Sequence, residues 1–117
     1  MNRNYRRLSA CAGVLLAGAA LFSVVSLGAD KPGDAEKGKD TFSSNCSACH
    51  YSASTEELVG PGLQGLFKKA ALKNKKKVTD ANVLEVIEKG SPVGMPGFGE
   101  GLSSQEKADV LAYLKTL

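Results

Sequence analysis

Tryptophan is absent from this chain, histidine occurs once, and cysteine occurs three times. Only Cys46 and Cys49 lie outside the N-terminal leader, so with His50 they fall short of the four ligands of a structural zinc site. Arginine stops at Arg7. Arg3, Arg6 and Arg7 account for the whole formal excess of +3, and from Asp30 onward lysines and acids are equal in number. A general basic surface is therefore missing, and with it the electrostatic footprint of a nucleic-acid binder. No stretch alternates apolar and polar residues over a useful strand length, and no internal repeat recurs. Beyond the leader the aromatics are Phe42, Tyr51, Phe67, Phe98 and Tyr113, a thin supply for a core. Domains this small often lean on a staple, a metal or a cofactor.

What is present begins with a targeting segment. Met1 to Arg7 carries three arginines and no acid, and Leu8 to Ala29 carries no charge. A basic start, an apolar run and then small residues is the layout of a secretory signal peptide, with cleavage expected after Gly28 or Ala29. Retained, the same run is long enough to serve as an uncleaved anchor. Leu8-Ser9-Ala10-Cys11 resembles a lipoprotein box but precedes the apolar run, so Cys11 reads as an ordinary leader residue. Residues 1–29 are thus a signal peptide or anchor, and residues 30–117 form one exported domain.

Within that domain, Asp34 is placed to cap a helix that carries Glu36 in its first turn and runs through Phe42 to the cysteines. Gly38 inside it costs about 1 kcal/mol relative to Ala, which points to close packing or a weak helix. Gly60-Pro61-Gly62 marks a sharp turn, after which Leu63, Leu66 and Phe67 can form one apolar helical turn. Lys68, Lys69, Lys73, Lys75, Lys76 and Lys77 make a local basic run. Thr79 or Asp80 starts a second helix with a Val83, Val86, Ile87 stripe, and Gly90 supplies its left-handed stop. Ser103 with Glu106 reads as a capping box for a last helix over residues 104–116 that buries Val110, Leu111 and Leu114, with Tyr113 beside them. The fold class is all-α, with three main helices and long loops.

The chemistry concentrates in Cys46-Ser47-Ala48-Cys49-His50. C-x-x-C-H is the attachment motif for c-type haem. If the first helix continues into it, the two thiols share one face and His50 projects from the same side. Both sulfurs then reach neighbouring vinyl groups of one porphyrin while the imidazole reaches the iron. A Cys46–Cys49 disulfide closes too small a loop to contribute much, and a thioredoxin-like pair needs a βαβ setting that is not visible.

Met95 is the only methionine besides the initiator, and it sits in a Gly/Pro loop. Pro96 keeps it out of the helical region. It is either a flexible gap-filler of the core or, given the haem motif, the second axial ligand.

Together these segments resemble the monohaem class I cytochromes c. The carriers are Glu36-Lys37-Gly38-Lys39 with Phe42 and the Cys46–His50 motif, Gly60-Pro61-Gly62-Leu63-Gln64-Gly65-Leu66-Phe67, Gly94-Met95-Pro96-Gly97-Phe98, and Asp109-Val110-Leu111-Ala112-Tyr113-Leu114-Lys115. The resemblance implies a small cytochrome c fold wrapped around one haem c. It implies thioether bonds at Cys46 and Cys49, iron ligation by His50 and Met95, and a Pro61 carbonyl that accepts from His50 Nδ1. It also implies that the first and last helices cross with Gly38 and Phe42 against Val110 and Tyr113. The Lys-rich connection between Lys68 and Thr79 departs from the mitochondrial form.

With both axial positions filled, the expected work is outer-sphere electron transfer between redox protein partners in the periplasm or another exported compartment, not enzymatic catalysis. Two alternatives stand beside it: a haem subunit of a larger oxidase or dehydrogenase complex, and a ligand-binding or peroxidase-type protein with a labile Met95. The lysines of Lys68–Lys77 are either a steering patch for an acidic partner or a solvated loop.

Overall fold

A computed structural model describes residues 31–117. The leader and its cleavage point lie outside the described residues. The chain forms α1 (Ala35–Asn45), a 3₁₀ turn (Leu66–Lys68), α2 (Asp80–Lys89) and α3 (Ser104–Leu114). Among the described residues the only β pairing is two isolated bridges, Ala71 with Lys77 and Ser91 with Met95. The domain is all-α, with three helices and long loops.

Each helix starts where a local side chain satisfies its first orphan amides. Asp34 accepts from the amides of Glu36 and Lys37, and Thr79 accepts from Asn82. At Ser103 the capping box is complete: the hydroxyl takes the Glu106 amide at 3.2 Å, and the Glu106 carboxylate takes the Ser103 amide at 2.8 Å. The Ser103 amide, and after it the Ser103 hydroxyl, which donates to the same carboxylate oxygen at 2.7 Å, hold the Glu106 carboxyl below its ordinary value. The ends are less local. α3 stops at Leu114 rather than at Thr116, because the Thr116 amide and hydroxyl both turn back onto the Tyr113 carbonyl, at 2.9 and 2.7 Å. A threonine that bonds the backbone this way competes with the helix.

The core is Phe42, Leu66, Val83, Ile87, Leu102, Val110, Leu111 and Leu114. Val86 is only half-buried; Leu84, also half-buried, packs against the core beside Val83 and Ile87. α1 and α3 meet most closely at Gly38, where a Cβ atom would lie 1.9 Å from the Asp109 carbonyl oxygen and 2.9 Å from Tyr113 Cβ. One turn on, the Phe42 and Tyr113 rings sit 5.5 Å apart at 60°, a favourable tilted geometry.

A buried carboxylate fastens this crossing. Asp109 is 3% exposed and accepts from the Asp34 amide and from Gln105 Nε2, each at 2.8 Å. Gln105 also exchanges bonds with the Lys31 backbone, at 3.0 and 3.2 Å. The Asp34 bond, followed by that of Gln105, holds the Asp109 carboxyl below its ordinary value against the opposing effect of burial. The residue that caps α1 is thus tied by its own amide to α3.

The Lys-rich connection is a loop folded on itself. The Leu72 amide bonds the Lys76 carbonyl at 2.8 Å, with Lys75 at φ 67° at the bend. Leu72 and Val78 point inward against the core, and the lysines stay outside.

Candidate functional site

Cys46 caps the C-terminus of α1, so the motif lies beyond the helix proper. It continues as one tighter turn. The amides of Cys46 and Ser47 both bond the Phe42 carbonyl, and those of Cys49 and His50 bond the Cys46 carbonyl at 3.1 and 3.0 Å. Buried Phe42 therefore anchors the start of the motif to the core. Both cysteines are half-buried free thiols. Burial, and secondarily the neighbouring Cys49, push the Cys46 thiol above its ordinary value, so it stays protonated at neutral pH.

His50 is held from the other side by the loop that follows. Its Nδ1 lies 2.8 Å from the Pro61 carbonyl oxygen. A carbonyl only accepts, so Nδ1 is the donor, and in the neutral imidazole this leaves the Nε2 lone pair for a metal. The loop is stitched to the motif: the Gly60 amide bonds the Cys49 carbonyl at 2.8 Å, and the Leu63 amide bonds the Tyr51 carbonyl at 2.8 Å. Gly60 lies flat against the imidazole, where a Cβ would come within 2.4 Å of His50 Cε1. The sequence marks Gly60 as part of a turn; nothing in its neighbours shows that it walls the imidazole.

Met95 arrives separately, on the loop after α2. It is half-buried, and its carbonyl accepts from the Ser91 amide at 2.9 Å. The loop returns to α2 through Phe98 and Gly99, whose amides bond the carbonyls of Ile87 and Glu88. Direct bonds thus join Cys46, Cys49, His50 and Pro61, while Met95 is set by the end of α2.

The basic run is partly neutralised. Lys73 pairs with Glu57, Lys76 with Glu85, and Lys69 donates to the Gly62 carbonyl. Bonds from Lys76 and then Lys89 keep the Glu85 carboxyl below its ordinary value. Lys68, Lys75 and Lys77 form no ion pair among the described residues. An open cavity of about 590 Å³ between α2 and α3 lies elsewhere. Its charged residues pair across it, Lys107 with Glu88 and Lys115 with Asp80, and neither the cysteines, His50 nor Met95 lines it.

Comparison with known proteins converges on one family. A family model described as cytochrome C oxidase, cbb3-type, subunit III matches residues 33–114. The chain belongs to the monohaem class I cytochromes c. It is 32% identical to a cytochrome c-553-like protein of Synechocystis sp. over 73% of this chain and 70% of that one. It is 30% identical to cytochrome c2 of Rhodopila globiformis over 77% and 99% of the two chains. The crystal structure of cytochrome c6 from the diatom Phaeodactylum tricornutum superposes with a TM-score of 0.58 at 29% identity, covering 72% of this chain and 93% of that one. Membership implies covalently bound haem c, and Cys46 and Cys49 stand together as the family's C-x-x-C-H motif requires. No helix among the described residues is long and apolar enough to cross a membrane.

Proposed function

We propose that this cytochrome c domain is an exported single-electron carrier whose haem is attached through Cys46 and Cys49 and ligated by His50 and Met95. The observation that carries this is the 2.8 Å bond from His50 Nδ1 to the Pro61 carbonyl, beside two free thiols. The donor set fits haem c. The thiols are unpaired, the imidazole is fixed with Nε2 available, and a thioether stands in a loop rather than in the core. When bound, the haem supplies a reversible one-electron couple, and a Met/His pair raises its potential.

The protein's part is to hold its ligands still. Pro61 fixes the imidazole tautomer and ring angle, and Gly60 blocks one face of the ring. The turn from Cys46 to His50 keeps both sulfurs and the imidazole on one short segment. His50 and Met95 would both hold the iron, which would leave no position for a substrate, so the domain would pass electrons rather than transform ligands. Its partners are redox proteins met in brief encounters, which usually bury less than about 1,200 Å². Lys68, Lys75 and Lys77 are the charges of the basic run best placed to steer an acidic partner, since the others are engaged locally. Residues 1–29 direct the domain to the periplasm or an equivalent exported compartment.

A second reading, as a haem subunit of a larger complex, is favoured by one observation: the matching family model describes an oxidase subunit. The near end-to-end matches to cytochrome c2 and cytochrome c6 favour the free carrier. The deciding experiment is the visible and near-infrared spectrum of the purified holoprotein, with mass spectrometry of the same sample. A low-spin haem with a sulfur-to-iron band lost in Met95→Ala, on a chain heavier by one haem, is the expected result. High-spin haem that takes up carbon monoxide readily would refute it. Co-purification with a fixed membrane partner would select the subunit reading.

A further inference from the structure

We infer that Gly90 is a positioning residue for Met95, a latch at the end of α2 that sets the loop presenting the sulfur. The inference rests on the reading of Met95 as an axial ligand. Gly90 adopts φ 75° and ψ −161°, a region essentially closed to residues with a side chain. It is not the left-handed helical stop that the sequence leads one to expect, but a sharper turn that folds the next residues back over α2.

A Cβ at this position would lie 2.3 Å from the Met95 carbonyl oxygen, 2.8 Å from the Gly97 nitrogen and 2.8 Å from the Pro96 carbonyl carbon. All three are backbone atoms, so no flexible side chain can swing clear. The Met95 carbonyl is held in place by the Ser91 amide at 2.9 Å. Beyond it, Phe98 and Gly99 are pinned to Ile87 and Glu88. A side chain at residue 90 therefore finds room only by displacing residues 95–97, the segment that carries the sulfur. The α1–α3 crossing, with Gly38, Phe42, Asp109 and Tyr113, lies outside this contact, so the domain keeps its fold while the loop opens.

Gly65 supplies the comparison. It also has positive φ, 66°, but a Cβ there meets nothing closer than Lys68 Cδ at 3.9 Å. Gly65→Ala thus imposes backbone strain without pressing on the methionine loop.

The test uses ferric holoprotein in four forms: wild type, Gly90→Ala, Gly65→Ala and Met95→Ala. The readouts are the sulfur-to-iron near-infrared band and cyanide affinity, with far-UV circular dichroism to report the fold. The expected result is that Gly90→Ala stays folded, loses most of the band and binds cyanide at least about tenfold more tightly, the scale of a steric backbone penalty. Gly65→Ala keeps both wild-type values. The latch is overturned if Gly90→Ala retains the band while Met95→Ala loses it. It is overturned equally if Gly65→Ala weakens the band as much, or if Gly90→Ala does not fold, since Gly90 then serves the whole fold. If Met95→Ala leaves the wild-type band unchanged, the ligation reading itself fails and the latch falls with it.

Discussion

The helix crossing at Gly38 makes a prediction in which two opposing terms can be set against each other. In an isolated helix, replacing Gly with Ala stabilises by about 1 kcal/mol. Here the added methyl would lie 1.9 Å from the Asp109 carbonyl oxygen and 2.5 Å from its carbonyl carbon. The obstacle is the backbone of α3, so α1 and α3 must separate across a contact that buries Phe42, Val110 and Leu114. Overpacking of this kind costs about 3 kcal/mol, the upper end of its usual range, leaving Gly38→Ala less stable by about 2 kcal/mol after the propensity gain. For a domain of this size that lowers Tm by roughly 8–16 °C. Thermal and urea unfolding of the holoprotein, followed by circular dichroism, measure it, and Gly38→Ser is expected to lose more than Gly38→Ala. An alanine variant at or above wild-type stability would mean that propensity outweighs the contact, and the account of the crossing would be wrong.

Three further outcomes follow from the same structure. Phe42→Ala removes the buried ring that packs on Tyr113 while keeping the backbone carbonyl that receives Cys46 and Ser47; it is expected to cost about 3–5 kcal/mol in urea unfolding. The Asp34 amide and Gln105 Nε2 both donate to Asp109 Oδ1, so Asp109→Asn keeps one carbonyl oxygen for both donors but replaces two charge-assisted bonds with neutral ones, for a loss of about 1–2 kcal/mol at neutral pH. Because the folded-state Asp109 pKa lies below its ordinary 3.8, the carboxylate's contribution is complete above the unfolded value and is lost as pH falls through the folded one. The gap between wild type and Asp109→Asn is thus expected to stay constant from pH 5 to 8 and to narrow below about pH 4; an unchanged gap in acid would count against the depressed carboxylate. Removing charge at Lys68, Lys75 and Lys77, with asparagine at Lys75 because it tolerates positive φ, is expected to slow electron transfer to an acidic acceptor at low salt and to flatten the salt dependence. Unchanged rates in stopped flow would leave the basic run as a solvated loop.

What the sequence shows and hides divides by distance along the chain. Asp34, Thr79 and Ser103 are legible as helix starts because each cap acts on an amide two or three residues away. The end of α3 is harder to read, because Thr116 can either extend a helix or bond its own backbone, and here it bonds the Tyr113 carbonyl. The Lys68–Lys77 loop turns at Lys75, a residue type that gives no warning of φ 67°. Asp109 looks like one more surface acid of an amphipathic helix. Only a partner 75 residues earlier in the chain, the Asp34 amide, shows why it is buried.

The site divides along the same line. Side-chain chemistry is local to a residue, so the two thiols and imidazole of the Cys46–His50 motif point to haem c without any structure, and the lone thioether of Met95 stands out as the proposed second ligand. Placement is not local. Gly60 against the imidazole and Gly90 against the Met95 carbonyl look like ordinary turn glycines until the backbones they face are known. In the carrier proposed above, which would change charge without changing ligands, placement is the protein's main contribution. The side chains that point to the chemistry are thus accompanied by two residues with no side chain, each leaving the space that a segment carrying a proposed ligand fills.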